Sequence, residues 1–364
     1  MSRHRSLIIV LALFCIGMWN EPCAADGPAT TRSLVPPPGV PPTNPAPEEI
    51  PAEETPRRPL GMLLEQSPLG HALDGARIKA FGYIQGSYNY NFSNAPRAGA
   101  FRENADRLFD FEDNVIRINQ LNMAIERQVD VATGKSDVGF RVEGIFGTDS
   151  RLIHADGLDF YGHNGRSAAA PSVAEDNYRF QLYPEYQFDL YQAYVDFAAP
   201  VGNGLRVRIG KFASFFGGTV DPNGNSFYSH TISFAADHPF TFTGVMLTYP
   251  FSDSLVVDGG ISRGWDQSLN DNNGAIDGFA RIGWLVNDHT GVTFAAVSGP
   301  EAPGNNSNYR SLLELTVKYS ASDRLRFILD ATYGWEPHVT PEFGVIEPNS
   351  GSAFPVTFTR NTRW

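Results

Sequence analysis

A chain of 364 residues with 19% charged residues, 12% aromatics and 35 glycines has room for two or three average soluble domains, or for one large all-β barrel. Its mean hydropathy of −0.24 is too polar for a bundle of membrane helices. A net charge of −12, with lysine only at Lys79, Lys135, Lys211 and Lys318 and no basic run, lacks the footprint that nucleic-acid phosphates require. No nucleic-acid partner is expected.

Residues 1–25 read as a secretory signal peptide: Arg3 and Arg5, an apolar stretch from Leu7 to Met18, then the small residues Ala24 and Ala25 before the expected cut. The apolar stretch is too short to span a bilayer. The bulky Phe14 before Cys15 argues against a lipid anchor. The chain's two cysteines, Cys15 and Cys23, both lie in this leader, so the exported form has no disulfide and no thiolate for catalysis or metal. Residues 26–59 carry eleven prolines interspersed with Glu48, Glu49, Glu53 and Glu54, a polyproline-like periplasmic linker through which an envelope partner could be contacted. Residues 60–77 are a short helical or irregular lead-in.

From residue 78 the hydrophobic period is two. Val138, Phe140, Val142, Gly144 and Phe146 share one face while Arg141 and Glu143 share the other; Leu205, Val207 and Ile209 alternate with Arg206 and Arg208 in the same way. Eleven such strands are expected at 78–92, 114–129, 137–147, 185–198, 204–213, 239–250, 253–265, 276–287, 290–299, 310–321 and 324–335, with a fainter twelfth at 354–364. Most run ten to fifteen residues, the length a tilted strand needs to cross a bilayer and more than soluble sheets usually use. Their connections alternate between long (93–113, 148–184, 214–238, 266–275, 300–309, 336–353) and short (130–136, 199–203, 251–252, 287–289, 322–323). Tight periplasmic turns and long outer loops produce that alternation. Because the first connection is long, the N-terminus lies on the periplasmic side.

The fold expected is therefore all-β: an antiparallel up-and-down transmembrane β-barrel of about twelve strands over 78–364, in contact with outer-membrane lipid. An open sheet edge cannot face hydrocarbon, where each unsatisfied backbone group costs several kcal/mol. Tyr88, Tyr90, Tyr194, Tyr249, Trp265, Trp284, Tyr319 and Trp335 are placed in the interfacial girdles. The last strand is irregular: Trp364, Phe358, Val356 and Phe354 suit an apolar face, but Thr362 and Arg360 interrupt it. Either that strand is atypical or the barrel is larger than this chain supplies.

The inward positions, Glu126, Arg141, Glu143, Gln192, Asp196, Arg206, Arg208, Asp258, Arg281, Glu314, Lys318, Arg326 and Asp330, form a polar wall nearly balanced in sign. Such a wall passes small hydrophilic solutes with weak ion preference. A narrow lumen filled by salt bridges is the competing reading, as is an exported soluble carbohydrate-binding β-protein. The 214–238 connection is the expected constriction, carried by Phe215, Phe216, Asp221 and Asn223. Asp266, Asp271, Asn272 and Asn273 are oxygen-rich but lack EF-hand spacing, so no metal site and no cofactor is assigned. Ser229-His230 and Asp237-His238 do not make a triad, and neither G-x-S-x-G nor H-E-x-x-H occurs, so no catalytic residue is expected. A homotrimer is one assembly open to such a barrel.

Over about 78–335 the sequence resembles the Putative beta-barrel porin-2, OmpL-like family of bacterial outer-membrane proteins. The resemblance is carried by Phe81-Gly82-Tyr83-Ile84-Gln85-Gly86, Gly210-Lys211-Phe212, Phe227-Tyr228-Ser229-His230, Pro239-Phe240-Thr241-Phe242-Thr243-Gly244-Val245, and Gly264-Trp265-Asp266 followed by Asp271-Asn272-Asn273. It implies passive solute passage without naming the solute, and it brings no catalytic residue.

Overall fold

The period of two becomes, among the described residues, one twelve-stranded antiparallel sheet in which each strand hydrogen-bonds to its neighbours in order, with a separate two-residue ribbon pairing 97–98 with 101–102 in the first long connection. The computed structural model describes residues 67–92, 97–98, 101–102, 109, 114–130, 134–158, 185–217, 238–302, 304–322, 325–337 and 362–363. The leader, the proline-rich linker, Asp221 and Asn223, and most of the fainter twelfth strand lie outside these residues. The strands are β1 (Lys79–Asn89), β2 (Val115–Arg127), β3 (Asp137–Gly147), β4 (Gln187–Ala199), β5 (Leu205–Ala213), β6 (Thr241–Ser252), β7 (Leu255–Ser262), β8 (Asp277–Asn287), β9 (Thr290–Pro300), β10 (Tyr309–Ser322) and β11 (Leu325–Glu336). A two-residue β12 (Thr362–Arg363) pairs with Glu336 and Trp335 of β11. Among the described residues, no pairing joins β1 to β11 or β12, so the sheet has two free edges there.

Local chemistry explains the entry into the sheet. Ser67 caps helix α1 (Pro68–Gly75), its hydroxyl accepting from the Gly70 amide at 3.0 Å, with proline at the first turn where its missing N–H costs nothing. Past the helix, Arg77 donates to Asp137 at 2.7 Å, while Arg127 and the Asp130 amide bind the same carboxylate at 2.9 Å. One carboxylate thus ties the lead-in to the short-turn end of β2 and β3. On the same end, the Asn203 amide donates to the Pro250 and Phe251 carbonyls, linking two tight turns.

The two faces differ as the alternation requires. Ile84, Ile116, Met123, Val138 and Phe188 are all more than half exposed. Meanwhile Arg117, Asn122, Glu126, Arg141, Glu143, Asp196, Arg208, Asp258 and Glu314 are buried. That inversion of the usual soluble pattern is the signature of a surface solvated by hydrocarbon. Bulges preserve it: in β2 the register slips so that Asn119 and Gln120 are both buried, and Ile118 and Leu121 on either side still face out. The sheet curls about the polar face, since Phe212 of β5 and Phe279 of β8, three strands apart, meet at 6.1 Å.

Gly210 marks one point where the backbone permits no side chain. Its φ of +134° is a conformation L residues rarely adopt, and a Cβ there would collide with the Ala193 carbonyl and Tyr194 of β4. Gly210→Ala is expected to pry β4 from β5 and cost about 2 kcal/mol or more. Urea titration of the folded barrel measures it; an unchanged midpoint contradicts the close approach.

Candidate functional site

The inner face divides into an ionic half and an aromatic half. On the ionic half, strand parity brings Glu126 of β2 and Arg141 and Glu143 of β3 together: Arg141 reaches Glu126 at 2.7 Å and Glu143 at 2.8 Å, with its guanidinium over the Phe81 ring of β1. Asn122 and Gln192 donate to Glu143, completing a buried network. Next along the sheet, Arg208 grips Asp196 at 2.8 and 2.9 Å and stacks on Tyr194, 3.7 Å from the ring centroid. Arg281 of β8 pairs with Asp258 of β7, which also accepts from Thr248. Arg206 is half-buried beside Thr248. Glu314 is buried on β10, Asp330 is buried on β11, and Lys318 is half-buried. Arg326 alone of the expected wall residues is exposed, near the short-turn end of β11. The wall residues therefore share one face, and seven of the charged residues expected there are held in two pairs and one triad. Buried pairs of this kind add little net stability, yet losing one partner strands a charge.

The aromatic half was invisible to a rule that turns every apolar side chain toward lipid. Phe212, Phe242 and Phe279 share parity with Arg208, Met246 and Arg281, and are almost fully buried. Phe242 and Phe279 stack at 5.0 Å. Onto them fold Phe215 and Phe216 from the connection after β5: Phe215 lies 5.9 Å from Phe242, 5.6 Å from Phe279 and 5.3 Å from the Arg281 guanidinium. Two girdle assignments are corrected, one by the same parity and one by the backbone. Tyr194 falls in phase with Asp196 and is buried under Arg208, and Trp265 is turned inward behind Gly264, whose φ is +119°. Tyr88, Tyr90, Trp284, Tyr319 and Trp335 are exposed on the outer face or at its rim.

The long-connection end is also lined from within. Helix α2 (Ser150–Ile153) buries Ile153 against Ile145 and Phe109, and Asp149 accepts from Gln120 at 2.9 Å. Lys211 reaches Asp189 at 3.1 Å, a pair the alternation did not flag because Lys211 stands one position out of phase with Arg208 and Phe212. The oxygen-rich group does not converge. Asp266 accepts from the Phe240 and Thr241 amides, Asp271 from the Asn273 and Gly274 amides, while Asn272 and Asn273 donate to the Glu301 and Pro300 carbonyls. Among the described residues no set of three acidic, histidine or cysteine side chains is arranged to hold a metal.

The family comparison agrees with this geometry: the description Putative beta-barrel porin-2, OmpL-like matches residues 77–358, most of the chain. The chain belongs to the Putative beta-barrel porin-2, OmpL-like family. Membership in this OmpL-like group implies a porin-type barrel and, with it, the outer membrane. No curated protein and no solved structure matches the chain significantly.

Asp266 joins three connections of the OmpL-like barrel at their long-loop end. Its carbonyl accepts from the Asp156 amide and its carboxylate caps residues 240 and 241, so three connections meet on one residue. Burial pushes this carboxyl from 3.8 up to about 7, against the pull of the Thr241 and Phe240 amides, the Thr241 hydroxyl and Lys211. A folded value above the unfolded one favours the folded loops in acid, and that margin is lost as pH rises from about 4 through 7. Wild type is expected to melt a few degrees lower at pH 8 than at pH 5. Asp266→Asn, with asparagine tolerant of the positive φ at this position, should flatten the difference. Thermal scans of the detergent-solubilised barrel at both pH values decide it.

Proposed function

We propose that the protein is a non-enzymatic diffusion porin, exported behind a signal peptide cleaved after Ala25, that lets small hydrophilic solutes cross the outer membrane along the inner face of its barrel with weak ion preference. The observation that carries this reading is the inverted sheet: exposed aliphatic and aromatic side chains on one face, and buried Arg, Asp and Glu on the other. Weak selectivity follows from the pairing of Arg141, Arg208 and Arg281 with carboxylates, which leaves little net field along that wall. Phe215 and Phe216 narrow the path from the aromatic side.

A structural barrel with a plugged lumen is the second reading, and the same two rings, packed on a buried aromatic cluster, favour it. Reconstitution in planar bilayers separates them. The porin reading expects discrete conductance steps and a reversal potential near zero in a salt gradient. A strongly selective channel contradicts the balanced wall, and a folded protein without conductance establishes the plug.

A further inference from the structure

We propose that Glu314 is the positioning residue that latches the segment 214–217 across the lumen, an inference that rests on the channel reading above. Glu314 lies on β10 with inward parity and is 1% exposed. Its Oε2 accepts from the Gly217 amide, 97 residues earlier in the chain, at 2.7 Å. The same oxygen lies 2.9 Å from Nε2 of His238. The described beginning and the described end of the connection between β5 and β6 therefore meet on one carboxylate of the opposite wall. Thr316 donates to the other oxygen at 3.1 Å, which fixes the carboxylate's orientation.

The rings follow from that anchor. Phe216 lies over the His238 imidazole with an interplanar angle of 27°, and Phe215 stacks on Phe216 at 4.9 Å. Bonds from an amide to a buried carboxylate are among the stronger hydrogen bonds, and the low local dielectric strengthens them further. Asp330 of β11 and Thr332 complete the surroundings: Asp330 interacts with the charges of Glu314, His238 and Lys318, and the Thr332 hydroxyl is 3.3 Å from His238 Nε2. Among the described residues it is Glu314 that receives the Gly217 amide, and without its oxygens the aromatic pair loses the point that aims it inward.

The test uses the full chain, refolded and reconstituted in planar bilayers, with heat-shifted gel mobility reporting an intact barrel. Glu314→Ala is expected to raise single-channel conductance about two-fold or more, since current follows the narrowest cross-section. Glu314→Gln, whose amide oxygen still accepts from Gly217, should stay near wild type. Phe215→Ala combined with Phe216→Ala should match Glu314→Ala, and adding Glu314→Ala to that pair should gain nothing more, because residues acting through one element are not additive. Additive gains, a Gln variant as open as the Ala variant, or wild-type conductance in Glu314→Ala overturn the latch. A second measurement does not depend on conduction: the thiol of Ser214→Cys should react with a water-soluble maleimide about ten-fold faster in combination with Glu314→Ala, as expected for a two-state segment released from its closed population. Equal rates overturn the latch. Absence of conductance in every folded variant would count against the channel reading, while the labelling contrast would still decide the role of Glu314.

Discussion

Arg141→Ala is expected to cost the barrel about 3–5 kcal/mol, because it leaves Glu126 and Glu143 buried beside each other with no cation between them. The damage should exceed anything lost by removing an exposed charge such as Arg326. Asn122 and Gln192 donate to Glu143, but an amide cannot supply the missing charge. Exchanging Arg141 for Met together with Glu126→Gln and Glu143→Gln should recover most of the loss, since the cost lies in the unpaired carboxylates and not in the absence of the ion triad itself. Urea titration followed by heat-shifted mobility in mild detergent reads both variants. A single variant as stable as wild type would show that water reaches the triad freely.

One residue further along the same strand, Val142→Arg is expected to destabilise the membrane-inserted protein by about 2–4 kcal/mol. Val142 stands mid-strand in β3, opposite Ile125 of β2 and Ala193 of β4, and is 48% exposed. In a water-soluble sandwich an exposed valine replaced by arginine would change stability by no more than about 0.5 kcal/mol. The same substitution thus has consequences of very different size in two solvents, and folding into lipid vesicles compared with folding of wild type reveals which solvent this face meets. An insensitive Val142 position would remove the basis for a lipid-facing surface.

Adjacent residues with such different penalties show how much one period conveys. The eleven expected strands coincide with β1 through β11 to within about three residues at each end, because a side chain on a strand has only two directions and hydrocarbon on one side forbids charge. The wall residues from Glu126 to Asp330 landed on one face for that reason. Parity fails where a polarity rule replaces it: turning every apolar side chain toward lipid would misplace Phe212, Phe242 and Phe279, which stand in phase with Arg208, Met246 and Arg281. Tyr194 and Trp265 were misplaced in the same way. Counting positions from the nearest charged residue would have found Tyr194 and the three phenylalanines; nothing local announces Trp265, whose direction depends on the backbone at Gly264.

The amino-acid order alone determined the all-β class, the strand positions, which end carries the long connections and which side of each strand meets lipid, since all of these are set by period and by segment length. Only the tertiary structure decided which charges neutralise which, that half of the inner face is aromatic, and that Gly217 and His238 converge on Glu314 from 97 and 76 residues away. The charge pairs follow the register of adjacent strands, whereas the Glu314 contacts and the Phe242–Phe279 stack join segments that are not neighbours in the sheet. The latter contacts depend on how the sheet curls, and curvature accumulates over many residues through bulges and kinks that no single stretch of sequence encodes.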